Sequence, residues 1–311
     1  MLFAVSFLLI GLILLTLAAD RFVLAAARLS RAWGLSPVLI GALVIGLGTS
    51  APELLVSVLA AGRGELDIAA GNVVGSNVSN VTLVLGATAL VGPIASRVAT
   101  IRREGVVMFG AVSLLAVFLW DLRLGRIESV VLASGMVGAA WLLVRWARRD
   151  GVETDDEERR SYRSYVSTPR ELAFGIGSLT LTLIGADLLV RGASRLADEI
   201  GISTAFVGLV IVSVGTSLPE LATALAAARR NETDLVLGNI VGSNLFNSLM
   251  VMGAAGLVGP GEVGEAFDSA LIFMVGSAFV AGVFAVSGRS VVRWEGAVLA
   301  AVFIGFVAVA A

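Results

Sequence analysis

Apolar stretches of about twenty residues recur along the whole chain, separated by short clusters of glycine, proline and charged residues. A transmembrane helix needs about 20 mainly apolar residues. No basic residue precedes the first stretch, as one would in a cleaved signal peptide, so we expect it to be a true span. The pattern predicts ten membrane spans, at 2–26, 37–61, 67–91, 104–120, 127–147, 170–193, 203–228, 235–258, 268–286 and 291–311.

One segment between the apolar stretches is strongly polar. Residues 148–169 hold an acidic run at 153–158, followed closely by Arg159, Arg160 and Arg163. Such a run of charges is typical of a solvated loop rather than of a span. We therefore predict that this linker separates two units, at 1–147 and 170–311, with five spans each.

The two units are related by an internal repeat. A shift of 167 residues places Asp20 on Asp187 and Glu53 on Glu220, and roughly 33 of the 75 positions in 19–93 match those in 186–260. Because five is an odd number of spans, the second unit must be inverted in the membrane. Inverted repeats are the architecture of many secondary transporters. The predicted fold is thus an all-α integral membrane protein with ten transmembrane helices in two inverted five-helix repeats.

Loop charges indicate the orientation, because cytoplasmic loops are enriched in basic residues. All 22 basic residues are arginine. Most of those in loops fall on one side, which includes the linker at 148–169. We therefore expect both termini outside and the linker in the cytoplasm of a cell that carries this protein in its plasma or inner membrane.

Composition limits the chemistry that the chain can perform. Hydrophobic residues make up 57% of it and charged residues 15%, and it contains neither cysteine nor histidine. Disulfides, thiol catalysis and histidine-based metal sites or proton relays are therefore excluded. What remains are carboxylates, amides, hydroxyls and carbonyls, which are the hard oxygen ligands that suit calcium, magnesium and sodium.

Two carboxylates, Glu53 and Glu220, lie in the middle of predicted spans. An ionisable residue there costs at least about 2.5–3.5 kcal/mol, so a function is the first hypothesis to consider. Each follows a proline, which cannot donate a backbone hydrogen bond and so leaves a carbonyl free one turn earlier. A plain kink is the alternative interpretation of these prolines. Thr49 and Thr216 lie four residues before the glutamates and hence on the same helix face.

Further oxygen-bearing side chains repeat with the same spacing. Ser76 and Asn80 are four residues apart, as are Ser243 and Asn247, and Ser50 and Ser217 lie beside the threonines. Bonding within the helix is the alternative for the serines. Bonding between helices is the alternative for four other asparagines, Asn72, Asn77, Asn239 and Asn244. Two buried carboxylates can be neutralised by one divalent cation, by monovalent cations or by protons, and a site that alternative ions must fill has the outline of an exchanger.

These motifs resemble a known family. GTSAPE with GNVVGSNVSN, and GTSLPE with GNIVGSNLFN, are similar to the two alpha-repeats of the calcium/cation antiporter superfamily, in particular its prokaryotic sodium/calcium exchanger branch. The resemblance covers nearly the whole chain. It implies exchange of Ca²⁺ for Na⁺ by alternating access, with spans 2, 3, 7 and 8 around the ions and spans 1 and 6 as sliding gates.

The resemblance also implies a role for each motif residue. Glu53 and Glu220 would be carboxylates shared by calcium and sodium, and Asn80 and Asn247 would be the central amides. Backbone carbonyls would come from Thr49 and Thr216, and hydroxyls from Ser50, Ser76, Ser217 and Ser243. Some members of this branch have aspartate where this chain has Asn247, which leaves ion stoichiometry open.

Other functions rank below sodium/calcium exchange. Exchange of calcium for protons comes second, and a cation channel third. An intramembrane enzyme fits the symmetric amide and carbonyl frame poorly, so we expect no catalysis. We also expect no cofactor, no nucleic acid and no obligate protein partner, only the lipid bilayer and the two ions. Asp20 and Asp187 are either gate carboxylates or, as we favour, interfacial residues paired with Arg21, Arg28 or Arg191.

Overall fold

The computed structural model describes residues 2–95, 101–150, 167–199, 213–264, 267–287 and 290–310, and almost all of them are helical. In chain order the helices are α1 (Leu2–Trp33), α2 (Pro37–Thr49), α3 (Ala51–Gly62), α4 (Leu66–Val91), α5 (Val106–Phe118, preceded by a π-helical turn at Ile101–Gly105), α6 (Arg126–Asp150), α7 (Thr168–Glu199), α8 (Ser213–Thr216), α9 (Leu218–Arg229), α10 (Thr233–Val258), α11 (Phe267–Ser287) and α12 (Arg293–Ala310).

Six helices in the described part of the chain are long and apolar enough to cross a membrane, namely α1, α4, α6, α7, α10 and α11. Helices α2 and α3 make a seventh if the bent pair is counted as one span. The predicted spans 104–120 and 291–311 correspond to the shorter helices α5 and α12. The predicted span 203–228 begins outside the described residues. Most of the linker at 148–169 also lies outside them.

Helices α4 and α10 occupy the centre of the bundle. The most apolar stretch of 18 residues is 83% buried inside the protein in α4 and 89% buried in α10. The corresponding stretches of α1, α6 and α7 are each 28% buried. The outer helices instead present large apolar side chains to the surroundings, such as Phe3, Leu17 and Trp141. A helix that is apolar on its exposed face needs lipid as its solvent. The arrangement is therefore that of a membrane protein with its asparagine motifs on the innermost helices.

The helix that carries the first glutamate motif is broken at Ser50. Helices α2 and α3 meet there at an angle of 45°. Pro52 explains the bend, because it lacks the N–H group that would otherwise bond to the carbonyl one turn earlier. The break between α8 and α9 falls on Ser217, with φ −86° and ψ 3°, close to the φ −85° and ψ 10° of Ser50. The proline motif thus produces the same local backbone in both repeats.

Four short strands tie the two halves of the chain together. They are β1 (Ile94–Ala95), β2 (Arg123–Leu124), β3 (Gly261–Glu262) and β4 (Ser290–Val291). Strand β1 pairs with β4, and β2 pairs with β3, both antiparallel. The two pairings have the same register under the 167-residue repeat. Ile94 lies opposite Val291, and their repeat mates Gly261 and Leu124 lie opposite each other. The repeat therefore extends well beyond the glutamate and asparagine motifs.

The turns that follow α3 and α9 also match. Gly64 and its repeat mate Asn231 both have left-handed backbone, with φ 81° and φ 58°. Glycine adopts this conformation without strain, and asparagine does so more readily than most residues. The two turns consequently bring the chain back along α4 and α10 in the same way.

Glycines let α2 lie directly against α10. A Cβ atom on Gly46 would stand 2.8 Å from the backbone nitrogen of Ser243, and one on Gly242 would stand 2.2 Å from the carbonyl oxygen of Ala42. Small residues at such contacts are the usual means by which membrane helices approach closely. Helices α1 and α7 also meet at a glycine, Gly185, whose Cβ would lie 2.6 Å from the backbone of Leu15. The first contact brings the broken helix of one half against the asparagine helix of the other.

Candidate functional site

The two glutamates of the repeated motif are enclosed by protein. Glu53 is 0% exposed and Glu220 is 1% exposed. Each lies in the first turn of its helix, α3 or α9, directly after the break. The unpaired N–H groups at a helix N-terminus favour negative charge, so this position lowers the cost of burying an ionised carboxylate. Two buried carboxylates must nevertheless be neutralised, either by cations or by protons.

The two carboxylates differ in their hydrogen bonds. Ser50 Oγ donates to Glu220 Oε1 at 2.9 Å, a bond that joins the first half of the chain to the second. Within the described residues, neither Glu53 oxygen has a hydrogen-bond partner, nor does Ser217 Oγ, the repeat mate of Ser50. Ser50 lies three residues before Glu53, so this bond brings the first glutamate motif against Glu220. The two motifs therefore meet, and they are bonded differently.

The threonines of the motif lie one turn before the glutamates. Thr49 is fully buried, and its Oγ1 donates to the carbonyl oxygen of Ile45 at 2.9 Å, within its own helix. Its hydroxyl hydrogen is thus occupied, which leaves oxygen lone pairs and the backbone carbonyl to face any ion. Thr216 is half-buried at the end of α8.

Two central amides come from the innermost helices. Asn80 opens a π-helical stretch in α4, and Asn247 lies in the matching stretch of α10. Both are buried, and none of their amide oxygens or nitrogens has a hydrogen-bond partner in the described part of the chain. Burying an unbonded amide costs about 1–3 kcal/mol by mutational measures. Short π-helical stretches often occur at functional sites, and these two place unsatisfied amides in the centre of the protein.

The serines one turn before these amides are also buried, and they too are bonded differently. Ser243 Oγ donates to the carbonyl oxygen of Gly46 at 3.3 Å, across the close contact between α10 and α2. Ser76 Oγ has no partner among the described residues. The repeated serines therefore show the same asymmetry as the glutamates.

Several buried oxygens without a hydrogen-bond partner lie on the predicted site residues, and others lie on Asn77, Ser79, Asn239 and Asn244. Buried polar groups in proteins are nearly always hydrogen-bonded, so a concentration of exceptions requires a ligand or water. The described residues contain no group of three or more acidic, histidine or cysteine side chains that could hold a metal. The predicted set consists instead of two carboxylates and several neutral oxygens. The predicted residues with such atoms are Glu53, Glu220, Asn80, Asn247, Ser76 and Ser217.

The four other motif asparagines form hydrogen bonds with the protein. Asn77 donates from Nδ2 to Ser248 Oγ at 2.9 Å, between α4 and α10, and Asn244 donates to the carbonyl oxygen of Ile240 at 2.7 Å within its own helix. Asn72 and Asn239 donate between neighbouring helices. Bonding between helices thus describes Asn72, Asn77 and Asn239, whereas Asn244 bonds inside α10.

Sequence reasoning missed three hydroxyls that these amides contact. They belong to Ser57, Thr223 and Ser248. The 167-residue shift pairs Ser57 with Ala224 and Thr223 with Val56, so the repeat gives no signal at these positions. Polar residues inside apolar spans were the only available indication.

The favoured interfacial interpretation of Asp20 needs a correction in its partner. Arg230 Nε and Nη2 donate to the two carboxylate oxygens of Asp20 at 2.8 and 2.5 Å. Arg21 and Arg28, which we expected to pair with Asp20, instead bond to Glu171 at 2.7 and 2.8 Å. The reason lies in the tertiary structure, because the turn after α9 packs against α1 and brings Arg230 beside Asp20. The hydrogen bond to Asp20 raises the pKa of Arg230, so this guanidinium stays charged.

Asp187 pairs with Arg191, as expected, at 2.6 Å one turn along α7. Both side chains are more than half exposed. The repeat mates Asp20 and Asp187 therefore differ: the first joins α1 to the second half of the chain, and the second makes only a local contact.

Comparison with known proteins gives a consistent family. The profile of the family described as sodium/calcium exchanger protein matches residues 3–145 and 171–311. The putative antiporter CaxA of Alkalimonas amylolytica is 38% identical to this chain over 314 residues, which is 98% of each protein. The inner membrane protein YrbG of Escherichia coli is 36% identical over 85% of this chain and 82% of its own. The sodium/calcium exchanger MaX1 of Methanosarcina acetivorans is 29% identical over 97% of both.

Solved structures agree with this assignment. The sodium-calcium exchanger NCX_Mj, soaked with Na⁺ and Sr²⁺, superimposes with a TM-score of 0.85 at 31% sequence identity. The match covers 99% of this chain and 98% of the other. The whole helical arrangement is therefore shared, and the similarity is not confined to the motif helices.

Proposed function

This chain belongs to the sodium/calcium exchanger protein family, and we propose that it exchanges Ca²⁺ for Na⁺ across a cell membrane at one shared site. The observation that carries the proposal is the pair of enclosed glutamates, Glu53 and Glu220. Three of their four carboxylate oxygens lack a hydrogen-bond partner within the described residues, and the fourth is bonded by Ser50 of the other motif. A pair of carboxylates in this state needs positive charge.

Calcium meets that need with a single ion. Its two charges neutralise both carboxylates, and it takes six to eight oxygen ligands. We propose that the carboxylates of Glu53 and Glu220 and the amide oxygens of Asn80 and Asn247 face the ions. Backbone carbonyls of the threonines and hydroxyls of the serines would complete the ligand set, from Thr49, Thr216, Ser50, Ser217, Ser76 and Ser243.

Sodium is the proposed counter-ion. MaX1 and NCX_Mj, which match nearly the full length of this chain, are both named as exchangers of sodium and calcium. Sodium prefers the same hard oxygen ligands as calcium. Protons could also neutralise the two glutamates, and calcium/proton exchange is accordingly the outcome that the test must separate from sodium coupling.

The charge of the site accounts for the coupling. A site with two unneutralised carboxylates would be costly to move through a medium of low dielectric constant. The protein therefore changes its access only when either Ca²⁺ or a set of monovalent ions is bound. Alternation between the two loads is antiport, and it gives no continuous pore.

We further propose ten spans in two inverted five-helix repeats, at 1–147 and 170–311, with both termini outside and the linker at 148–169 in the cytoplasm. The strand pairings support a repeat that covers each whole unit, and the arginine distribution supports the orientation. The chain lacks cysteine, so single introduced cysteines test the topology cleanly. Labelling of a linker cysteine from outside intact cells by an impermeant reagent would reverse the orientation.

Transport by the purified protein in liposomes tests the exchange itself. Vesicles loaded with sodium and diluted into sodium-free medium with radioactive calcium should accumulate calcium. Vesicles with a proton gradient of the same magnitude, and vesicles with no gradient, should accumulate far less. Glu220→Gln protein serves as the matched control.

Each alternative predicts a different result in the same vesicles. Uptake driven by protons and not by sodium would assign calcium/proton exchange. Uptake that follows the calcium gradient and the membrane potential without any counter-ion would assign a channel. Either result would overturn the proposed sodium coupling.

A further inference from the structure

We infer that Asn72 and Asn239 are positioning residues, which hold the backbone of Glu53 and Glu220 so that both carboxylates face one ion. The inference rests on the proposed function. Neither asparagine belongs to the proposed ligand set. Each lies on a central helix, α4 or α10, beside the first turn of the helix that carries a glutamate.

In the first half, the amide of Asn72 makes two hydrogen bonds to α3. Its Nδ2 donates to the backbone carbonyl oxygen of Glu53 at 3.2 Å and to Ser57 Oγ at 3.0 Å. A backbone carbonyl can only accept a hydrogen bond, so the contact fixes which end of the amide faces Glu53. Both hydrogens of one NH₂ group are thereby used on the same helix.

In the second half, Asn239 makes the corresponding pair of bonds to α9. Its Nδ2 donates to the backbone carbonyl oxygen of Glu220 at 3.3 Å and to Thr223 Oγ1 at 3.3 Å. The threonine hydroxyl in turn donates to the carbonyl oxygen of Pro219 at 2.8 Å. The second bond therefore reaches the proline that precedes the glutamate.

The second acceptor indicates that this contact is more than a by-product of the repeat. Ser57 lies four residues after its glutamate and Thr223 three residues after its own, and neither is the repeat mate of the other. Two different positions thus supply a hydroxyl to equivalent amides. The part of the arrangement that is the same in both halves is the bond from asparagine to the glutamate carbonyl.

Geometry explains why the glutamates need such support. Each lies in the first turn of a helix that follows a break, so the helix on its N-terminal side does not fix its position rigidly. A hydrogen bond to the backbone of that residue sets both the height of the helix and its rotation against α4 or α10. Loss of the bond leaves both charges in place and lets the carboxylates move away from the ion.

Alanine substitutions test the inference in sodium-driven calcium uptake. Asn72→Ala and Asn239→Ala should each raise the half-saturating calcium concentration about three- to twentyfold, the range measured for hydrogen bonds between membrane helices. The maximal rate per folded protein should change much less. Asn72→Gln retains the donor on a longer side chain and should recover part of the affinity.

Asn77→Ala is the matched control, because Asn77 also donates an interhelical bond but, among the described residues, makes no hydrogen bond to either glutamate. It should lower thermal stability and leave the half-saturating calcium concentration unchanged. Ser57→Ala removes only the second acceptor of Asn72 and should change affinity less than Asn72→Ala.

The outcomes separate this inference from the proposed function. If the unaltered protein shows no sodium-driven uptake, the proposed function fails. If it transports, and the Asn72 and Asn239 variants lose stability with calcium affinity equal to that of the unaltered protein or of Asn77→Ala, then the asparagines only pack helices. The inference would then be wrong.

Discussion

The two halves of the site have the same motif and nearly the same backbone, yet they are bonded differently. Glu220 accepts a hydrogen bond from Ser50, whereas the equivalent bond from Ser217 to Glu53 is not formed. The serines near the asparagines differ likewise. A duplicated sequence therefore does not require a symmetric state. A difference in hydrogen bonding between the two motifs is expected of a protein in which the two halves alternate between two conformations.

Removal of either glutamate charge should have the largest effect on transport. Glu53→Gln and Glu220→Gln keep the size of the side chain and should each lower calcium transport at least about a hundredfold, because one remaining carboxylate cannot neutralise a divalent ion in a buried site. Uptake into liposomes, with gel filtration to verify folding, measures this. Unaltered flux in either variant would show that the two glutamates do not act as one site.

Competition between ions tests whether the differently bonded halves serve a single site. Sodium should raise the apparent dissociation constant for calcium by tenfold or more at saturating sodium, since both loads cannot share two carboxylates. Lower pH should also weaken calcium binding, because protonation of either glutamate removes counter-charge, and binding should return as the pH rises. Equilibrium binding of radioactive calcium is the measurement. A calcium affinity independent of sodium contradicts the shared site.

The hydrogen bond itself is the next difference to test. Ser50→Ala removes a donor to a charged group, an interaction of about 1.5–3 kcal/mol, and should weaken calcium binding about tenfold or more. Ser217→Ala removes no hydrogen bond seen within the described residues and should have a smaller effect. Equal losses in the two variants would mean that the asymmetry has no energetic consequence for binding.

The smallest expected effect concerns the two aspartates. Asp20→Asn removes a bidentate ion pair between α1 and the turn after α9 and should slow exchange about two- to fivefold without abolishing it, in line with the modest energy of partly exposed pairs. Asp187→Asn removes a local, exposed pair and should change the rate by less than twofold. Initial uptake rates decide between them. Complete loss of flux in a well-folded Asp20→Asn protein would instead make it a gate carboxylate.

The residues of the candidate site were conspicuous in the sequence. Charged and amide side chains inside apolar spans are rare, and the 167-residue repeat marked them twice. The structure buries all four of the residues concerned, Glu53, Glu220, Asn80 and Asn247. Their role as ion ligands stays a prediction.

Helix boundaries were harder to predict from hydropathy. The first span was expected to end at 26, but α1 continues to Trp33. Residues near its end, such as Arg28 and Arg31, are polar yet compatible with a helix, so the helix outlasts the apolar stretch. It stops at Gly34, whose φ of 64° is the left-handed conformation of a helix terminus. Glycine chemistry rather than hydropathy sets this boundary.

Pairings across the bundle could not be predicted from the sequence at all. Asp20 pairs with Arg230, more than two hundred residues away, because the turn after α9 lies against α1. Nothing in the sequence indicated that Ser217 would not bond to Glu53, because the motifs GTSAPE and GTSLPE have the same polar residues. Such features depend on how the helices are placed, which local spacing does not encode.

The swapped strands carry an evolutionary consequence. Each ribbon takes one strand from each half, β1 with β4 and β2 with β3, in registers that the repeat shift interchanges. Two separate copies of a half-length ancestor, related by a twofold axis, would make the same contacts, each lending its first strand to its partner's second. The strand pairings of the present chain are thus those expected of a symmetric homodimer, as an origin by duplication and fusion of a half-length gene would leave them.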